Sequence, residues 1–287
     1  MSRRPKSRSQ GDRFYRNGRK RGAEYKAIGI FAIAGLVAAG FVGIAATHVN
    51  TDVDNTTGCP SDNRSPEAHT FILVDETDKL NATDLRYTEA LIRTEYMNLP
   101  LHGRLTVRNI LADPNAASEI VVCRMADRAK RGDINANDGK IKRDFQKVAG
   151  VRLDRLMDEL AAAPVQDASP ILESVASVMD RPDFGSMISS RRMIIISDLA
   201  QHSDLVSDYG RGRHLSDEAR DLLERDMVGV QVRLHYIRRP SLSRVQGPAH
   251  KDSWIQQFQH MNVDDVVIGH DINMGEISKR EVWTDVS

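Results

Sequence analysis

One stretch of twenty residues, 27–46, constrains this chain more than any other feature, because it contains no charged or strongly polar side chain. At about 1.5 Å of helical rise per residue, ~20 residues span the ~30 Å hydrocarbon core of a bilayer. A helix buried in a soluble domain normally carries a polar stripe, which this stretch lacks. The sequence therefore predicts a single transmembrane helix over residues 27–46.

The charges on either side of this stretch predict its orientation. Residues 1–26 carry ten Lys or Arg against Asp12 and Glu24, whereas residues 47–58 contain acids and no Lys or Arg. The positive-inside rule then places a basic tail (1–26) in the cytoplasm and the rest of the chain outside, in a periplasm or the extracellular space. A cleaved signal peptide is the alternative, but its apolar region usually has only about 7–15 residues.

The tail and the membrane helix suggest partners of their own. A dense basic segment beside a bilayer favours contact with anionic lipid. Charge alone would be the only argument for nucleic acid, so no nucleic-acid partner is expected. Ala39 and Gly43 stand four residues apart in the apolar stretch, a spacing of small residues that permits close helix packing and hence an oligomer.

Cys59 and Cys123 are the only cysteines of the chain, and both fall in the part predicted to lie outside. Disulfides persist in oxidising compartments, so the pair predicts a disulfide. Closing a loop of this length would stabilise the fold by roughly 4 kcal/mol in the chain-entropy model. Two separate buried thiols are the alternative.

The outer part divides into a polar, turn-rich linker (47–68) and one domain (69–287). In the domain, apolar β-prone runs alternate with helix-like segments, and a charged stretch, 124–148, is predicted as a long loop with at best a short helix. Several strands are continuous apolar runs, which is typical of strands covered on both faces. The predicted fold is α/β, a doubly covered, mostly parallel sheet preceded by one transmembrane helix. The predicted strands are 69–74, 104–111, 119–123, 193–196, 228–237 and 263–268, and the predicted helices are 81–97, 152–162, 170–179, 217–225 and 254–260.

Two aspartates follow predicted strands of this sheet. Asp75 comes directly after the first strand and Asp198 after the run 193–196. Parallel strands bring their carboxyl ends to one edge, where ligands of such sheets bind. With the hydroxyls of Thr77 and Ser169, which opens a predicted helix as its cap, the aspartates predict an oxygen-rich site suited to Mg²⁺. The alternative is that both aspartates only accept backbone N–H bonds at loop starts.

This order of residues resembles the von Willebrand factor A-type domain, also called the integrin inserted domain. The metal-ion-dependent adhesion site of that family has a D-x-S/T-x-S loop after the first strand, a Thr or Ser opening a later helix, and an Asp after the fourth strand. Asp75 and Thr77 match the first loop, Ser169 the middle hydroxyl and Asp198 the last position. The resemblance implies a mostly parallel sheet with one antiparallel strand near an edge, and Mg²⁺ bridging to a partner's carboxylate.

Two positions depart from that pattern. Lys79 stands where the family has the last Ser of its first loop, so the site is incomplete, and an inward Lys79 would repel a metal or replace it by an ion pair. Leu199 stands where a glycine often follows the last aspartate. His202, four residues beyond Asp198, is interpreted as a surface or packing residue rather than a ligand.

These features predict a membrane-anchored protein-interaction module, a subunit or adaptor of an envelope complex, and not an enzyme, since no nucleophile–base pair is evident. The first alternative is a metal-dependent, phosphatase-like hydrolase built on Asp75. Thr77 stands where such a loop has its second aspartate, so the general acid is missing. The second alternative is a purely structural membrane subunit.

Overall fold

The computed structural model describes residues 53–61, 65–113, 117–125, 138–209 and 215–268. The predicted basic tail and transmembrane helix over residues 1–46 lie outside this part. Among the helices of the described residues, none is long and apolar enough to cross a bilayer. The chain separates into two units, and the second, Asp52–Ser287, contains every described residue.

The described residues form one six-stranded sheet in the order β3-β2-β1-β4-β5-β6. Its neighbouring strands are parallel except for β3, which lies antiparallel to β2 at an edge. The predicted mostly parallel sheet with one antiparallel edge strand is confirmed. The strands are β1 Ala68–Asp75, β2 Arg104–Ile110, β3 Glu119–Cys123, β4 Ser190–Ser197, β5 Val230–Tyr236 and β6 Asp265–Ile268.

Helices cover both faces of this sheet, as predicted. The helices are α1 Ala82–Asn98, α2 Asp138–Phe145, α3 Val151–Ala162, α4 Ile171–Met179, α5 Asp217–Leu223 and α6 Pro248–His260. Alternate residues of β1 enter two separate cores: Phe71 and Leu73 pack with α4, α5 and α6, whereas Ile72 and Val74 pack with α1, α2 and α3. Burial on both faces explains why this strand is a continuous apolar run.

The start of α1 illustrates how local sequence sets an element. The Asn81 side chain accepts hydrogen bonds from the backbone N–H groups of Thr83 and Asp84, at 2.7 and 3.0 Å. The Asp84 carboxylate accepts the Asn81 N–H in return, at 3.1 Å. This reciprocal capping satisfies donors that a helix start otherwise leaves free.

The stretch 124–148, predicted as a long loop with at best a short helix, contains more helix than that among its described residues. Residues 138–150 are helical, as α2 followed by a π-helical turn, Gln146–Gly150, that leads into α3. Among the charged residues of this stretch are two apolar ones, Ile141 and Phe145. They lie one helical turn apart, and both are buried. Phe145 packs on Tyr96 of α1 with ring centroids 4.6 Å apart. Two apolar residues at positions i and i+4 are the sequence signal from which this helix could have been predicted.

Part of the segment predicted as a linker is folded against the sheet. Cys59 and Cys123 form a disulfide with Cα atoms 4.6 Å apart, which confirms the predicted bridge. The Cys123 N–H also donates to the Thr57 carbonyl at 2.8 Å. Gly58 has a φ of +71°, and a Cβ there would lie 3.0 Å from the Cys123 carbonyl oxygen. Structure therefore begins before residue 69, because a turn around Gly58 brings Cys59 to the end of β3.

His69 is a buried, neutral histidine near the start of β1. Its Nδ1 lies 2.7 Å from the Asp183 carbonyl oxygen and its Nε2 lies 2.8 Å from the Thr106 hydroxyl. A carbonyl only accepts, so Nδ1 carries the proton and Nε2 accepts from the hydroxyl. Burial lowers the pKa of His69 to about 4.

This histidine predicts a loss of stability in mild acid. The unfolded chain takes up a proton near pH 6.5 and the folded chain only near pH 4, so the free energy of unfolding falls as the pH drops through this window. The loss from His69 should approach about 3 kcal/mol at pH 4. Urea unfolding of residues 52–287 from pH 7 to pH 4 measures it. His69→Gln should show a shallower dependence, and an equal slope in both proteins would contradict the assignment.

Candidate functional site

The candidate site lies where the order of strands reverses. From β1 the chain passes to β2 and β3 on one side and then returns to form β4 on the other, so β1 and β4 are neighbours at the centre of the sheet. Asp75 ends β1 and Asp198 directly follows β4, and both side chains are buried. The structure thus brings the two predicted aspartates to one edge, at the position where open α/β sheets bind ligands.

Asp75 is the centre of a hydrogen-bonded cluster. Its Oδ1 accepts from the Thr77 N–H at 3.0 Å and from the Thr77 hydroxyl at 2.6 Å. Its Oδ2 accepts from the hydroxyls of Ser197 and Ser169, at 2.6 and 3.3 Å. Because these hydroxyls donate their protons to Asp75, the oxygen lone pairs of Thr77 and Ser169 remain available to a cation.

Asp198 has a buried carboxyl group whose ionised form is disfavoured by its surroundings. Its Oδ1 accepts from the Ala200 N–H at 2.9 Å, and its carboxyl also hydrogen bonds with the side chain of Asp78. Burial, and next the negative charge of Asp75, raise the pKa of Asp198 well above its usual range. The buried carboxyl groups of Asp75 and Asp198 repel each other when both are ionised, and a divalent cation would relieve that repulsion.

A pocket with about 40 Å³ of space opens beside these groups. That volume holds more than one water-sized group. Three aspartates, Asp78, Asp167 and Asp198, give it an acidic character. The residues that line it are Thr77, Asp78, Gln166, Asp167, Ala168, Ser169, Asp198, Ala200, His202 and Tyr209.

A metal ion in this site would need side chains that can serve as its ligands. Within the described residues, no three His, Cys, Asp or Glu side chains are placed to hold one together. The four predicted residues are all oxygen donors: the hydroxyls of Thr77 and Ser169 meet at Asp75, and Asp198 lines the pocket together with these two hydroxyl residues. Hard oxygen donors with room for water fit Mg²⁺, so the residues fit the ion that the resemblance implies. The metal role of these residues stays a prediction.

Lys79 does not behave as the sequence suggested it could. Its side chain is exposed and is not among the residues that line the pocket, so it neither enters the site nor replaces a metal there. Asp78, the preceding residue, turns towards the pocket instead. The role of Asp78 and that of the Ser197 hydroxyl were not predicted from the sequence, although the Ser-Asp pair after the apolar strand was a signal for Ser197.

Ser169 reaches the site by a different route from the predicted one. Helix α4 begins at Ile171, with Pro170 in the cap position, and Ser169 supplies no capping hydrogen bond. Its backbone instead pairs in both directions with His202, at 2.7 and 2.9 Å. This pairing frees the hydroxyl for Asp75. His202 itself lines the pocket, with its Nδ1 3.0 Å from the Ser207 hydroxyl.

Leu199 adopts a backbone conformation that favours glycine, with a φ of +59°. The residue is buried, and its carbonyl accepts from the Trp254 indole N–H at 2.9 Å. A left-handed conformation costs a side-chain-bearing residue about 1 kcal/mol or more. The position that the sequence comparison with the von Willebrand A-type pattern assigned to glycine therefore has a backbone conformation that suits glycine but holds a leucine.

The strain at Leu199 predicts an unusual order of stabilities. Leu199→Ala and Leu199→Gly both remove a buried side chain, at about 2–5 kcal/mol, but only glycine relieves the backbone. Leu199→Gly should therefore be more stable than Leu199→Ala by about 1 kcal/mol, measured by urea unfolding. At Leu156, buried within α3, the same pair should show the usual order, with alanine more stable. Alanine above glycine at both positions would contradict the strain.

The comparisons with known proteins leave the family open. No family model and no curated protein matches the sequence. Similar solved structures include the conserved hypothetical protein BatB of Bacteroides thetaiotaomicron (10% identity, TM-score 0.37, covering 71% of this chain and 91% of that one). An aerotolerance-related membrane protein of Bacteroides fragilis follows (11% identity, TM-score 0.35, 71% and 92% coverage). The pilus adhesin SpaC of Lactobacillus rhamnosus GG is also similar (9% identity, TM-score 0.37, 74% and 29% coverage). Similarities this weak support no function, which is inferred below from the residues of this chain.

Proposed function

We propose that this chain is a von Willebrand A-type interaction module that binds a protein partner at the pocket, with Mg²⁺ held by Asp75, Thr77, Ser169 and Asp198. One observation carries the proposal: the hydroxyls of Thr77 and Ser169 converge on Asp75, beside a second buried carboxyl group, where the strand order reverses. When bound, Mg²⁺ would supply positive charge and an open coordination position for a partner's oxygen. The strand order, with one antiparallel edge strand, is consistent with that family.

The surface around the pocket supports a protein as the partner. Tyr209 lines the pocket with 46% of its surface exposed, and Val165, which precedes the lining residue Gln166, is 69% exposed. Leu205, 40% exposed, lies in the turn closed by the pairing of His202 with Ser207. Exposed apolar side chains around a polar centre are typical of protein-binding sites, and tyrosine is enriched in them.

The location of the module is also a proposal. Residues 27–46 would anchor it as a transmembrane helix, with the basic tail on cytoplasmic anionic lipid and the domain in the periplasm or the extracellular space. The Cys59–Cys123 disulfide supports this side of the membrane, because disulfides persist in oxidising compartments. A subunit or adaptor of an envelope complex, oligomeric through Ala39 and Gly43, fits this placement.

The hydrolase alternative finds less support in the site. A phosphatase-like Asp75 would need a carboxylate oxygen free to attack, whereas both of its oxygens accept two hydrogen bonds each. Asp78 also lines the pocket and is a carboxyl group that could act as a general acid, but it hydrogen bonds with Asp198. In the proposed metal site, by contrast, Asp75 would act through the hydroxyls of Thr77 and Ser169, which it orients.

Calorimetric titration of residues 52–287 with Mg²⁺ and Mn²⁺ tests the metal part of the proposal. We expect the wild-type domain to bind and Asp75→Ala to lose binding, because the hydroxyls of Thr77 and Ser169 lose the carboxylate that orients them. Asp158→Ala removes an exposed carboxylate of α3 and serves as the charge-matched control, with unchanged binding expected. Equal binding by wild type and Asp75→Ala, or none by wild type, would refute the metal site.

A further inference from the structure

We propose that His250 of α6 is a positioning residue for the pocket: through Asp208 it fixes the loop 199–209, which forms one wall. Only the assignment of a ligand to the pocket rests on the proposed function. The positioning itself rests on buried contacts, described next.

The loop is a small hairpin that presents pocket residues. Ala200, His202 and Tyr209 all line the pocket. His202 pairs with Ser207, and the Asp208 N–H donates to the Gln201 carbonyl at 2.8 Å. Gln201 and Asp208 therefore form the base of the hairpin. Whatever holds this base sets the position of the residues above it.

The base is held by one carboxylate. Asp208 Oδ2 accepts from the Gln201 N–H at 3.0 Å and lies 3.2 Å from His250 Nε2. His250 Nδ1 lies 2.8 Å from the hydroxyl of Tyr236, the last residue of β5. Since a carboxylate only accepts, Nε2 donates to Asp208, while Nδ1 makes the hydrogen bond with the tyrosine hydroxyl. All four residues are buried, so the chain of hydrogen bonds ties the hairpin to the sheet.

The connection continues into the candidate ligands. His202 exchanges two backbone hydrogen bonds with Ser169, whose hydroxyl donates to Asp75. The ring of His202 also contacts Tyr209 edge-on, with centroids 5.3 Å apart. Loss of the His250–Asp208 contact would therefore release Tyr209 at the mouth of the pocket and the backbone that places Ser169. Asp198 has a separate support, because Gln246 donates to its carbonyl at 2.9 Å.

The two ring nitrogens allow a matched pair of variants. In His250→Gln the side-chain amide nitrogen can take the place of Nε2 and still reach Asp208. In His250→Asn it corresponds to Nδ1 and falls short of Asp208. His260→Ala removes a histidine of the same helix whose side chain is 63% exposed, and it serves as the control.

Hydrogen–deuterium exchange of the full-length chain in detergent micelles measures the loop directly. We expect His250→Asn to speed amide exchange in residues 201–208 by about tenfold, with β1 and β4 unchanged, and His250→Gln and His260→Ala to resemble wild type. Wild-type exchange in His250→Asn would overturn the proposal. So would equal effects of Asn and Gln, or faster exchange of the loop and the central strands together.

Mg²⁺ titration of the same proteins separates this inference from the proposed function. Weaker Mg²⁺ binding by His250→Asn than by His250→Gln would extend the positioning effect to the metal ligands. If wild type itself binds no Mg²⁺, the metal role fails, whereas a selective loop effect in His250→Asn still supports the positioning role.

Discussion

Asp198→Asn is expected to abolish Mg²⁺ binding and, at the same time, to stabilise the metal-free domain. The asparagine oxygen can still accept the Ala200 N–H, and its amide can donate to Asp78, so both hydrogen bonds of the site are kept. What disappears is the ability of this buried group to carry a negative charge beside Asp75. Replacing such a charge by a neutral group of the same shape is often stabilising, by about 1 kcal/mol or more.

The same prediction can also be measured as a change in how the free energy of unfolding depends on pH. Because the folded-state pKa of Asp198 is raised, the folded chain keeps a proton that the unfolded chain has lost above about pH 4. The contribution of this group to stability is therefore present at low pH and lost as the pH rises through the folded-state pKa. In Asp198→Asn that loss should vanish, and the metal-free variant should exceed wild type most clearly at neutral pH.

Thermal unfolding with and without Mg²⁺ measures both effects. Wild type should gain stability from Mg²⁺ by mass action, and Asp198→Asn should gain none. Asp158→Ala should follow wild type in both conditions. A variant that is less stable than wild type without metal, or one that still responds to Mg²⁺, would contradict this account of Asp198.

Removal of the disulfide is expected to destabilise the domain by about 4 kcal/mol, the value that the chain-entropy model gives for a closed loop of 64 residues. The double variant Cys59→Ala, Cys123→Ala avoids leaving a polar atom at Cys123, which is buried. Its free energy of unfolding in urea should fall relative to wild type. Residues 53–61 should also exchange their amide protons faster, because the covalent link holds that turn on β3.

Reduction provides the control for this prediction. A thiol reductant should bring the wild-type domain close to the double variant and leave the variant itself unchanged. Equal unfolding midpoints for oxidised wild type and the variant would show that the contacts of Thr57 and Gly58 alone hold the segment.

The sheet could be predicted from the sequence because its strands are set by local apolar runs. Strand β3 was predicted with the bounds that the structure gives it, and the helix predicted over 254–260 lies within α6, where Trp254 and Phe258 are fully buried. The shared edge of Asp75 and Asp198 followed from the rule that parallel strands align their ends. These features depend on patterns within about ten residues.

The rest depended on contacts between distant parts of the chain. Whether Asp78 or Lys79 faces the pocket is decided by the path of the turn before the Asn81 cap, which no spacing reveals. Ser169 leaves its predicted cap position because His202, 33 residues later, pairs with its backbone. The contact of His250 with Asp208 spans 42 residues and satisfies buried donors and acceptors, a need that exists only once the chain has folded.

The disulfide and the pocket lie at opposite ends of the same strands, and this placement decides how the domain would carry mechanical load. Cys123 pairs with Arg104 at the first residue of β2, level with His69 near the start of β1, whereas Asp75 ends β1 about 20 Å away along the strand. A pull between a bound partner and the N-terminal segment would act along the strands. The β3–β2 and β2–β1 ladders lie between these two points and would then be loaded in shear, so their hydrogen bonds would resist together instead of opening one at a time.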